Sequence, residues 1–136
     1  GEPFVGRAGQ LLTKILEAIN IKREDVFIAN ILKCRPPNNR TPFPEEISTC
    51  IPYLKKQIDL IKPKVILCLG LTAANGLLNT KNSMIKMRGN VYEFHGVKLM
   101  VTYHPAALLR NPNWKKETWE DVQKFYKLYQ DLLSKD

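Results

Sequence analysis

His104 is one of two histidines in a chain of 136 residues, and it stands at an abrupt boundary. Val101, Thr102 and Tyr103 read as the end of a β-strand. Pro105 stops that strand and biases His104 away from the helical region. A histidine at the lip of a strand can aim a hydrogen bond at a ligand; the plainer alternative is a side chain tying the next loop to the sheet. Leu108, Leu109 and Arg110 follow on what reads as a surface turn. Asn30 sits inside the apolar run "VFIANIL", where an amide is unfavourable without polar work to do. An amide offers a donor and an acceptor at once. Cys34 and Cys50 lie on either side of a proline-rich stretch, with fifteen residues between them. "GRAG", residues 6–9, places two glycines ahead of a helix and could offer backbone N–H groups to a phosphate.

The elements that must position these residues follow from periodicity. After Gly9, the residues Leu11, Leu12, Ile15, Leu16 and Ile19 share one helical face. Val26–Leu32 reads as a strand. "KCRPPNNRTPFP" is a long loop with four prolines and no acid. The next helix is expected from Pro44, with Glu45 and Glu46 in its first turn, to about Ile61, and Pro63 stops it. "VILCLG" is a buried strand turning at Gly70 and Thr72 into a helix over Ala73–Leu78. "VYEFHGVKLMVTY" reads as two strands around His95 and Gly96. Trp119, Val122, Phe125, Tyr126 and Leu133 form one stripe of a packing helix. The alternation predicts a single α/β domain over residues 1–136, a three-layer α/β/α sandwich around a mostly parallel central sheet. In such sheets ligands sit at the carboxyl ends of the strands. Asn30, Gly70 and His104 all fall at such ends and are expected to converge.

Composition narrows the function classes. Hydrophobic residues make up 44%, and no apolar run approaches the length of a membrane span. Lys and Arg number 21 against 13 Asp and Glu, a net +8. Residues 81–116 hold Lys81, Lys86, Arg88, Lys98, Arg110, Lys115 and Lys116 against the single acid Glu93, which is +6 of that +8. Such a face suits a phosphate backbone, although a solvated lysine-rich surface has the same composition. Three cysteines, an odd number, argue against a secreted disulfide framework and for a reducing, cytoplasmic setting.

"PFVGRAGQLL", "NILKCRPPNNRTP", "ILCLG" and "YHPAALLRNP", in this order and with about this spacing, resemble the family 4 uracil-DNA glycosylases, the iron–sulfur type of bacteria and archaea. The resemblance covers essentially the whole chain. It implies a monomeric repair enzyme that flips uracil out of single- or double-stranded DNA and hydrolyses its N-glycosidic bond. His104 would then donate to uracil O2, where charge develops as the bond breaks. Asn30 would pair with uracil O4 and N3–H, and Phe4 would stack on the base. Pro105, Leu108, Leu109 and Arg110 would form the loop that enters the minor groove, with a leucine as wedge and Arg88 adding a phosphate contact. Cys34 and Cys50 would be two of the four thiolates of a [4Fe–4S] cluster. Cys68, inside a strand, is expected to be a small core residue.

The family pattern also has, ahead of "PFVGRAG", a Cys-x-x-Cys and an acidic turn that positions the hydrolytic water. Neither is present in these 136 residues, and Glu2 falls where the family varies. A chain with two cluster ligands and no such acid is expected to hold no intact cluster by itself and to excise little or no uracil. A non-catalytic DNA-binding module of the same fold is the alternative. A nucleotide-binding domain with "GRAG" as its phosphate loop is weaker, since it leaves Asn30 and His104 unexplained.

Overall fold

A computed structural model describes residues 6–21, 26 and 44–135, and for residues 44–50 the backbone alone. Helix α1 spans Gly6–Ala18 and buries Gly9, Leu12 and Leu16; of the expected stripe Ile19 is also buried, just past the helix, while Leu11 and Ile15 are half-buried. Helix α2 spans Pro44–Ile61. It stops where Lys62 turns left-handed at φ 53° and donates its N–H to the Ile58 carbonyl, with Pro63 forbidding a further turn.

Strand β1, Val65–Leu69, runs into helix α3, Leu71–Leu78. A short helix α4, Met84–Met87, follows; the Ser83 hydroxyl caps it by accepting from the Lys86 N–H. Strands β2, Val91–Phe94, and β3, Val97–Thr102, form the expected hairpin. Both of its turn residues, His95 and Gly96, have positive φ, as a primed two-residue turn requires. The apparent surface turn after His104 is instead a helix, α5, Pro105–Arg110, followed by a 3₁₀ turn over Pro112–Trp114. Pro105 takes the first helical position, where its missing N–H costs nothing. Helix α6, Lys115–Ser134, closes the described chain.

The described sheet has the order β1-β3-β2, with β1 parallel and β2 antiparallel to the central β3. The strand expected at Val26–Leu32 lies outside the described residues apart from Val26. Leu99, Met100, Val101 and Thr102 are all buried, as befits a strand covered on both faces. Successive side chains point to opposite faces. Leu99 and Val101 join Cys68, Ala74, Met87 and Phe94 in a core that Ile51, Ile58, Leu77 and Leu78 complete from α2 and α3. Thr102, on the other face, meets Asp121 of α6. Helices therefore cover the sheet from both sides, the layered α/β arrangement expected.

Candidate active site at the carboxyl ends of the strands

Residues Leu69 and Thr102 are partners at the ends of parallel strands β1 and β3. The chain leaves β1 through Gly70, whose N–H donates to the Thr102 carbonyl at 2.8 Å. Gly70 has φ 99° and ψ 158°, a region open essentially to glycine alone. A Cβ built on it would lie 3.3 Å from the His104 Cβ. Two of the three strand ends expected to converge do so here. The third, Asn30, lies outside the described residues.

His104 adopts the extended backbone that a following proline favours, φ −69° and ψ 139°, and caps α5. Its Nδ1 accepts a hydrogen bond from the Ala106 N–H at 2.9 Å. A neutral imidazole carries one proton, so this bond puts that proton on Nε2. Burial first, and the Arg110 charge second, hold the ring's pKa below its ordinary value. The result is a neutral donor fixed at the end of the sheet. Beside it, Tyr103 and Trp114 stack face to face, with centroids 4.6 Å apart and planes 12° apart.

The loop residues separate by face. Leu109 is half-buried and Arg110 exposed. Leu108 is 1% exposed and Pro105 is buried, so neither takes the DNA-facing place expected of it in this conformation. Successive residues are about 100° apart around a helix, and here the turn carries Leu108 to the interior and leaves Leu109 at the edge of the buried face. Leu108 instead lines an open apolar groove of about 180 Å³ with Leu11, Ile15 and Trp119. That groove holds no histidine or carboxylate and stands apart from the His104 chemistry.

Arg88 also departs from its expected place. Its Nε donates to Asp121 Oδ2 at 3.1 Å, and its Nη2 lies 3.1 Å from Asp121 Oδ1 and donates to the Glu117 carbonyl at 2.9 Å. A buried carboxylate needs a counter-charge, and Arg88 is engaged there rather than left for a phosphate. Asp121 and Thr102 were not visible as site residues in the sequence. The available signal was Asp121 sharing a helical face with Thr118, Val122 and Phe125.

Phe4 and Cys34 lie outside the described residues, as does the side chain of Cys50. No group of three or more His, Cys, Asp or Glu side chains that could hold a metal occurs among the described residues. Cys68 does not fit a cluster: it is buried in β1, and burial pushes its thiol up to about 12.

A sequence model of the uracil DNA glycosylase superfamily matches residues 1–123. The chain belongs to that superfamily. It is 46% identical to the type-4 uracil-DNA glycosylase of Archaeoglobus fulgidus, over 94% of this chain and 68% of that one. Identity is 46% with the type-4 enzyme of Pyrobaculum aerophilum, over 93% and 68%, and 48% with that of Thermotoga maritima, over 91% and 67%. The glycosylase chain thus spans about two thirds of the length of these relatives. None of its described helices is long and apolar enough to cross a membrane.

Proposed function

We propose that this chain carries the base-excision chemistry of a uracil-DNA glycosylase acting in the cytoplasm. The observation that carries the reading is the hydrogen bond from the Ala106 N–H to His104 Nδ1, which leaves the ring proton to Nε2. Cleavage of the N-glycosidic bond leaves negative charge on uracil, and a fixed Nε2–H aimed at O2 stabilises that charge more than it stabilises the bound substrate. Its neutral state keeps the donor without requiring a proton transfer. Asn30 reads the flipped base through O4 and N3–H, and Phe4 stacks beneath it. Cytosine, with an amino group at position 4 and no N3 proton, mismatches the same amide. Leu109 is the remaining wedge, since Leu108 is committed to the core, and Arg110 holds a phosphate nearby. Cys34 and Cys50 supply two thiolates to a [4Fe–4S] cluster.

Single-turnover release of uracil from an oligonucleotide tests this. His104→Ala, in a protein that also carries the family's Cys-x-x-Cys and acidic turn, lowers the chemical rate by about 10²–10³, as loss of one oxyanion donor does, and leaves DNA affinity nearly unchanged. Equal losses in rate and affinity would return His104 to a structural role. DNA binding with no uracil release, by a wild-type protein that also carries the Cys-x-x-Cys and acidic turn of the family pattern, would favour the non-catalytic module.

A further inference from the structure

Asp121 is a charge in the wrong place for a packing helix. It is 2% exposed, under the end of β3. Besides the two contacts from Arg88, its Oδ2 accepts from the Thr102 hydroxyl at 2.8 Å. Buried ion pairs of this kind are weak contributors to stability compared with apolar residues of the same volume. Its attachment is more telling. Thr102 is the last residue of β3, two before His104. Its side chain is held by Asp121 on one side, and its carbonyl by the Gly70 N–H on another. Past Thr102 the chain has one residue, Tyr103, before His104 must meet the Ala106 N–H.

We propose that Asp121, acting through the Thr102 hydroxyl, is a positioning residue for His104. It anchors the end of β3 so that Nδ1 meets the Ala106 N–H and Nε2 is presented as the donor. Arg88 supplies the counter-charge that lets a carboxylate occupy that site. The kinetic part of this inference rests on the proposed role of His104; the structural part does not.

The test uses Thr102→Val, which removes the hydroxyl and keeps the branched shape, Thr102→Ser, which restores it, and Asp121→Asn. The readouts are the ring ¹⁵N resonances of His104, with His95 on the distant hairpin as internal reference, and single-turnover uracil release beside DNA affinity. Wild-type His104 shows one tautomer, protonated on Nε2. Thr102→Val and Asp121→Asn give mixed tautomers and release slowed about tenfold at unchanged affinity, a small misplacement being enough for such a loss. Thr102→Ser recovers both. A folded Thr102→Val protein that keeps the single tautomer overturns the proposal, and it decides the matter even where Asp121→Asn does not fold. A wild-type protein that carries the family's Cys-x-x-Cys and acidic turn as well and still releases no uracil defeats the glycosylase reading, while the tautomer comparison still decides this one.

Discussion

Gly70→Ala would disturb the contact that brings the two strand ends together. At φ 99° and ψ 158° a side chain is strained by about 1–3 kcal/mol. The new Cβ would sit 3.3 Å from His104 Cβ, a tight approach to the atom that carries the imidazole, while the ring's Cγ and Cδ2 stay at an ordinary 4.0 Å. Backbone relaxation would instead give up the 2.8 Å bond from the Gly70 N–H to the Thr102 carbonyl, about 0.5–1.5 kcal/mol. For a chain of this size each kcal/mol is about 3–5 °C, so the melting temperature should fall by about 3–15 °C. Displacing His104 by even an ångström should slow excision by about 10–100-fold. Gly96→Ala is the matched control. Its φ is +82°, nothing lies within 4 Å of a Cβ there, and it sits at the hairpin turn. Thermal melts should show both variants destabilised, and single-turnover assays should show only Gly70→Ala slowed. A Gly70→Ala protein with wild-type melting and rate would refute the contact, and equal slowing in both would attribute the loss to global stability.

The two leucines should part company: Leu108→Ala should cost about 2–5 kcal/mol in denaturant unfolding, as a truncated core residue does. Leu109→Ala should leave stability nearly intact and slow base flipping, measured with a fluorescent base beside uracil. For His104 the unfolded chain takes its proton near 6.5 and the folded chain only at lower pH. Its contribution to stability is therefore complete above pH 6.5 and is lost as pH falls through the folded value. The acid limb of excision should lie below pH 6.5 and move up in Arg110→Gln; an NMR titration in which that variant leaves the His104 midpoint unmoved would remove Arg110 as a cause. In salt titrations of DNA binding, Lys86→Gln and Arg110→Gln should each reduce the slope by nearly one unit. Arg88→Gln should leave the slope alone and destabilise the fold by about 3 kcal/mol, because buried Asp121 loses its hydrogen-bonded counter-charge and keeps only that of Lys124.

Local chemistry made much of this legible. Pro44 and Pro63 bracket α2, and the hairpin turns on His95 and Gly96, because a missing N–H or a positive φ constrains the chain within a few residues. The convergence of Gly70 with His104 follows from parallel strands having their carboxyl ends on one side. What stayed hidden depends on partners far along the chain. Arg88 reads as a free surface charge until Asp121, 33 residues on, is folded against it. "HPAALLR" reads as a turn because helix α5 is six residues long, too short for a periodic signal, and its cap is a histidine rather than Ser, Thr, Asp or Asn. Trp119 belongs to the apolar stripe of α6 by spacing yet stays substantially exposed, since the buried face is that of Thr118, Asp121, Val122 and Phe125 and Trp119 lies beside it, lining the open groove with Leu11 and Ile15.

Cys68 gives the site a built-in gauge. It pairs with Val101 across the parallel ladder, one position short of the Leu69–Thr102 pair from which Gly70 and His104 extend. Only a thiolate attacks an alkylating reagent, and a thiol pushed up to about 12 is inert at neutral pH while the strands hold. Modification therefore waits for local opening of β1, from β3 or from the α2 and α3 side chains that cover the thiol. Its rate, read by mass spectrometry on the peptide containing Cys68, measures the free energy of breathing in the ladder that carries the histidine. A bound ligand that steadies the strand ends registers as slower capture of a sulfur it never touches.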